Sequence, residues 1–315
     1  MRSMKNCARV PLAFLGVKMK IRLISGSCYV ALLAAFFCLK IFLPYGDFYF
    51  DGLLYAFAIM GTFEMLRATK EKTTAAERGL VYAFTVITIP AVAVGQYFEE
   101  WGLAVIGGGV LVLSIALLAL LVIRHEETSL ESLGVAFLSA VYPTLLLALM
   151  VLANHAVAPA DMEKFGFDGR LLILFVFVIS PCADSIAYLF GKFLRKYFPK
   201  KMTPVISPNK TVIGGIGGLV GGLLGAAALY FIYNATAGSY DQMHIWLPVY
   251  LAIGLVGAVA TAFGDLVESC IKRKLGLKDM GNIMPGHGGV LDRLDSAFYS
   301  TIVAYLAFVI ICLVV

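Results

Sequence analysis

The chain has 315 residues, of which 60% are hydrophobic and 14% charged, with a mean hydropathy of +0.88 and a formal net charge of +5. Soluble domains average about 45–50% apolar and about 25% charged residues. The balance excludes a soluble globular domain, a disordered chain and a disulfide scaffold. It leaves an integral membrane protein whose apolar blocks are long enough to cross a bilayer.

Residues 1–22 read as a cytoplasmic extension. Basic residues flank a short apolar run, Val10 to Val17, which is too short to span and lacks a cleavage site; either Met1 or Met19 serves as the start. Nine apolar segments of spanning length follow, at 23–43, 49–66, 80–97, 103–123, 133–153, 171–191, 212–233, 246–267 and 297–315. Backbone polar groups in lipid must be satisfied within the segment, and barrel-type alternation is absent, so the spans are helices. The expected fold is an all-α polytopic membrane protein of about nine transmembrane helices with its N-terminus cytoplasmic.

The connecting segments support this count. Twenty-two of the 25 Lys and Arg fall on the side of the N-terminus: six before the first span, four at 67–78, then Arg124, six at 192–210 and five at 272–293. Lys164 and Arg170 fall on the other side, and Lys40 lies within the first span. Such asymmetry places the cation-rich side in the cytoplasm and gives no reason to invoke nucleic acid. Six scattered cysteines without a CxxC pair behave as small apolar residues. No repeat or internal boundary is visible. Residues 23–170 form an N-terminal membrane half. Residues 171–315 form a C-terminal half whose cytoplasmic loops, 192–211 and 268–296, hold most of the polar motifs.

Carboxylates within a span cost about 2.5–3.5 kcal/mol each on insertion scales and mark function or pairing. Glu64, near the cytoplasmic end of the second span, is expected to pair with a nearby Lys or Arg, and Asp51 to sit at the outer interface. Asp184, in SPCADSIAYLFG, and Asp265 with Glu268, in FGDLVES, each lie beside a dense polar motif. Around Asp265, five cations, His287, paired glycines and several acids crowd into one stretch. Paired glycines let a backbone approach a ligand closely. Acids alternating with cations suit a site where a metal bridges carboxylate and phosphate oxygens, and hard oxygen donors such as Asp265 and Asp292 favour magnesium over zinc. His287 has no second His or Cys nearby.

The second cluster, TPVISPNKTVIGGIGG at 203–218, ends its polar part in Lys210-Thr211. It departs from a Walker A loop, with Asn209 in place of the Gly before the Lys. The glycines from Gly221 onward are spaced as a helix-packing face; Gly214 and Gly215 suit both packing and ligand approach. GKFLRKYFPKK at 191–201 mixes aromatics with cations, as a segment facing anionic headgroups does.

Residues 269–295 resemble the signature of the phosphatidate cytidylyltransferase (CDP-diacylglycerol synthase) family. The match runs through Ser269, Lys272-Arg273, Lys278-Asp279, Gly281, Pro285, His287-Gly288-Gly289 and Asp292-Arg293-Leu294-Asp295. Asp184-Ser185 with Ala187-Tyr188 and Gly191, then Ser207-Pro208 and Lys210-Thr211, match two further family motifs in order. Met284, Arg195 and Ile213 depart from the pattern, where Leu, Ile or Phe, Gly and Glu respectively are usual.

The resemblance implies transfer of CMP from CTP to phosphatidic acid at the cytoplasmic membrane, giving CDP-diacylglycerol and pyrophosphate by direct in-line displacement. It implies Mg²⁺ on Asp265 and Asp292, with Lys272, Arg293 and His287 also in catalytic roles. Asp184, Ser207, Lys210, Thr211, Arg273, Lys278, Gly288 and Gly289 would bind substrate, and a homodimer is suggested. Three other readings stay open: a CTP-dependent transferase for an isoprenoid-type lipid phosphate, a membrane transporter, and a lipid-binding relative without activity. The absence of a repeat and the gathering of polar residues at one face weigh against the transporter.

Overall fold

The computed structural model describes residues 12–99, 101–157, 169–237, 242–286 and 288–314. Nine α-helices lie among them: α1 Leu12–Phe42, α2 Gly46–Ala68, α3 Ala75–Glu99, α4 Gly102–Ile123, α5 Leu130–Asn154, α6 Gly169–Phe193, α7 Val212–Ala237, α8 Met243–Lys274 and α9 Leu291–Val314. A short antiparallel hairpin, β1 Lys201–Thr203 with β2 Ser207–Thr211, joins α6 to α7. The protein is an all-α integral membrane protein. Eight of these helices are long and apolar enough to cross a membrane; α2, with Asp47, Asp51, Glu64 and Arg67, is the ninth.

Helix limits differ most from the hydropathy reading in three places. Helix α1 begins at Leu12, inside the stretch read as an extension. Helix α8 runs on to Lys274, and α9 starts at Leu291, six residues before the expected span. The expected loop 268–296 therefore shrinks to 275–290. Ser269, Lys272 and Arg273 ride on the end of one helix; Asp292, Arg293 and Asp295 ride on the start of the next. Hydropathy reports where lipid ends, not where hydrogen-bonded helix ends.

The main core joins α2, α5, α6, α7, α8 and α9 through residues such as Phe57, Leu147, Phe175, Tyr250 and Phe298. A smaller cluster around Val81, Leu113, Leu117 and Ala136 holds α3, α4 and α5. Polar contacts fix the helices against one another. Thr85 Oγ1 lies 3.0 Å from Thr62 Oγ1 and 2.7 Å from Thr144 Oγ1, a buried ladder across α2, α3 and α5. Such bonds between membrane helices contribute about 0.6–2 kcal/mol each. Thr74 and Glu77 form a reciprocal cap on α3, and Glu77 Oε1 also accepts from Ser132 Oγ in the capping box of α5.

At the opposite end of the bundle, Asp51 is buried, against the interfacial placement expected for it. Its carboxylate meets His155 Nε2 at 2.5 Å and accepts from Asn154 Nδ2 at 2.9 Å. Lys40 pairs with Asp47 beside it and donates to the Asn154 carbonyl.

The glycine face of α7 packs within the chain, against α6 and α8. A Cβ on Gly222 would lie 2.5 Å from the Gly254 carbonyl, and one on Gly254 would lie 2.5 Å from Ala226 Cβ. With backbone on one side there is nothing to yield, so Gly254→Ala must part α7 from α8. We expect it to destabilise the protein by about 1–3 kcal/mol, as overpacking does. Gly79→Ala at an exposed position of α3, where the Cβ meets open space, should not lower stability. Thermal unfolding of both variants in detergent checks the difference; equal midpoints would remove the close-packing argument.

Candidate active site

Helix α8 ends in a Schellman arrangement. Gly276 takes φ +69°, its N–H donates to the Arg273 carbonyl and the Leu277 N–H to the Lys272 carbonyl. A left-handed residue at this place suits glycine. The turn releases the chain into the signature loop, which folds back on itself where the Met284 N–H meets the Gly288 carbonyl at 2.9 Å. It ends at Val290, the residue before α9.

Two groups of expected site residues result. The first lines a cavity of about 670 Å³ bounded by α6, α7, α8 and the hairpin, with Asp184, Tyr188, Lys192, Lys210, Thr211 and Asp265 on its walls. Lys210 Nζ lies 2.6 Å from Asp265 Oδ2, with both side chains partly exposed, and Ser269 Oγ donates to Asp265 Oδ1 at 3.3 Å. Asp184 lies close to Ser296 of α9. Thr211 uses its hydroxyl as a cap, accepting the Gly214 N–H at 3.1 Å at the start of α7. Arg195 and Asn209 also line the cavity; in the sequence Lys192 and Arg195 stand out as cations of a basic loop, Arg195 also as a departure from the family pattern, and Asn209 as the residue that breaks a Walker A loop.

The second group is a buried network behind Asp265. Lys272 Nζ bridges Glu268 Oε2 at 3.2 Å and Asp292 Oδ1 at 2.7 Å. Asp292 Oδ2 accepts the N–H groups of Met280 and Gly289, each at 2.8 Å. Asp292, 9% exposed, thus has both oxygens engaged. Glu268 is fully buried and its carboxyl meets that of Asp295. Asp295 sits one turn from Asp292; the sequence marks it as part of the motif and assigns it no site role of its own.

Other expected residues lie apart. Arg273 is exposed and donates to the Leu277 carbonyl at 2.9 Å, so it finishes the helix turn. Lys278 and Arg293 are exposed. Ser207 pairs with Thr203 in the hairpin and does not border the cavity. Gly288 and Gly289 approach protein carboxylates closely: a Cβ on Gly288 would meet Asp292 Oδ2, and one on Gly289 would collide with Glu64. His287 lies outside the described residues.

Glu64 is not held by the cation expected for it. It is 1% exposed, and its two carboxylate oxygens accept the N–H groups of Val290 and Leu291, each at 3.0 Å. No pattern around Glu64 could have named these partners.

The donor set can be tested against magnesium. Among the described residues no three His, Cys, Asp or Glu side chains converge as a ready metal cage. Mg²⁺ is usually held by one or two carboxylates together with substrate phosphates and waters. Asp265, open to the cavity, fits that role. Asp292 is turned away from the cavity, with Oδ1 on Lys272 and Oδ2 on two N–H groups, and would serve the ion through Oδ1 only where Lys272 releases it.

Residues 20–311 match the sequence profile of the cytidylyltransferase family. A protein named phosphatidate cytidylyltransferase from Staphylococcus aureus (strain COL) is 38% identical over 186 residues, 58% of this chain; the match spans 65% of that relative's length. One of the same name from Staphylococcus epidermidis (strain ATCC 12228) is 31% identical over 273 residues, 86% of this chain and 95% of the relative.

Proposed function

The chain belongs to the cytidylyltransferase family, and from that premise we propose that it transfers CMP from CTP to phosphatidate. A phosphate oxygen of the lipid forms a bond to the α-phosphorus of CTP, the bond from that phosphorus to the bridging oxygen breaks, and pyrophosphate leaves. The observation that carries this reading is the Lys210–Asp265 pair on the wall of a cavity roomy enough for a nucleotide.

Phosphoryl-type transfer needs positioning and charge neutralisation more than covalent help from the protein. Lys210, Lys192 and Arg195 supply positive charge along the cavity wall for the triphosphate and the lipid phosphate. Asp265 and Asp292 would hold Mg²⁺, which when bound neutralises charge on the phosphate oxygens. Lys272 fixes the orientation of Asp292 through their 2.7 Å contact. Tyr188, Met202 and Ala258 give the cavity an apolar side, suited to a substrate that arrives from the bilayer. The concentration of Lys and Arg on the side carrying these loops supports a cytoplasmic membrane location with the site facing the cytoplasm, where CTP is available.

The test is direct. Full-length protein in detergent is given labelled CTP, phosphatidate and Mg²⁺, and the organic phase is assayed for cytidine. Label is expected in the lipid with phosphatidate, its loss with EDTA and its return with Mg²⁺. Product with an isoprenoid phosphate alone would move the reading to that substrate, and no product with either would overturn it.

A further inference from the structure

We propose that Glu64, on the second helix, is a positioning residue for the reaction: it holds the signature loop in the shape that aims Asp292. Its catalytic part rests on the cytidylyl-transfer reading above. A helix leaves its first N–H groups without partners inside the helix, and α9 begins in a buried place. Glu64 meets that need with both oxygens, accepting Val290 N–H and Leu291 N–H at 3.0 Å each. A carboxylate also favours the positive end of a helix.

The fit is steric as well as polar. A Cβ at Gly281 or Gly289 would strike the Glu64 carboxylate, so the loop closes around it on two sides. Leu291 packs over Gly61, one turn earlier on the same helix, where a Cβ would lie 3.0 Å from Leu291 Cδ2. Asp292 follows directly, and its Oδ2 accepts from Gly289 and from Met280, the neighbour of Gly281. Two carboxylates therefore grip one loop. Glu64 fixes residues 289–291 from outside, and Asp292 draws 280 and 289 together from inside. Without Glu64, the Val290 and Leu291 N–H groups lose their acceptor, and Asp292 loses the frame that turns Oδ1 toward Lys272. Glu64, Val290 and Leu291 do not line the cavity proposed for CTP, which is walled by α6, α7, α8 and the hairpin, so binding and turnover should separate.

The experiment uses full-length Glu64→Ala, Glu64→Gln and Gly289→Ala proteins beside the parent. Hydrogen exchange is followed in peptides spanning 284–296. Turnover with CTP, phosphatidate and Mg²⁺ is expressed per folded molecule. We expect exchange at Val290 and Leu291 to rise at least tenfold in Glu64→Ala. Its kcat should fall roughly 10- to 100-fold, with KM for CTP within about twofold. Glu64→Gln, which keeps one acceptor, should recover part of the loss. Gly289→Ala should lower kcat with Glu64 intact. If Glu64→Ala does not fold, Glu64→Gln decides. Unchanged exchange would overturn the clamp. Faster exchange with parental kcat, or a raised KM with kcat intact, would overturn the positioning role. If the parent makes no lipid-linked cytidine, the function reading fails and the positioning role falls with it; exchange alone then reports whether Glu64 holds the loop.

Discussion

Asp292→Asn should lower kcat by about 10³-fold, a loss of the size seen when a preorganised electrostatic contact is removed, while the protein remains folded in detergent. The side chain has three donors around it: Lys272 Nζ at 2.7 Å, and the Met280 and Gly289 N–H groups at 2.8 Å. An amide can accept on only one of its two atoms. Its NH₂ must face either the ammonium or the two backbone N–H groups, so at least one buried donor is left unmet. A hydrogen bond to a charged group contributes about 1.5–3 kcal/mol, and each 1.4 kcal/mol is tenfold in rate. Loss of the oxygen that would face Mg²⁺ adds to this. The measurement is kcat per folded molecule, with folding read from monodispersity and thermal midpoint. Parental turnover in this variant would take Asp292 out of the catalytic set.

Lys210→Ala should act on binding. Lys210 Nζ is 2.6 Å from Asp265, and the two side chains are 25% and 31% exposed, so the pair is open to an incoming ligand. In the proposed reaction Lys210 would hold a phosphate oxygen and Asp265 would hold the ion. Removing one charged hydrogen bond of about 1.5–3 kcal/mol should raise KM for CTP roughly 10- to 100-fold. Lys210→Arg should restore part of the affinity, because the charge returns on a bulkier planar group. Because the partners touch, Lys210→Ala and Asp265→Asn should combine with less than additive effect. Unchanged KM in Lys210→Ala would put the triphosphate elsewhere in the cavity.

These two residues were legible in the sequence, and so was the family signature around them. Spans were legible too, because 18 or more apolar residues in a row have few other homes. Helix ends were less so. At 32 residues α8 is about 48 Å long at 1.5 Å per residue, well beyond a hydrocarbon core of about 30 Å. Its last turns are polar, and hydropathy reads them as loop. Thr211 was legible as a polar residue before glycines, but a phosphate-binding hydroxyl and a helix cap share that pattern. Glu64 and Asp51 were visible only as acids in a span. Their partners are backbone groups more than 220 residues away in one case, and the His155–Asn154 pair about 100 residues away in the other. Composition carries no record of such pairings.

The Glu64 contact also bears on how the protein is made. Helix α2 leaves the ribosome early, and α9 is the last described helix to follow. When α9 is made, the acceptor for its first N–H groups already exists on α2, close to Gly61, which leaves room for Leu291. A nascent chain that has not yet reached α9 has Glu64 without those donors. Closure of the signature loop therefore waits for α9, and the acid cluster is assembled only once that helix has joined the bundle.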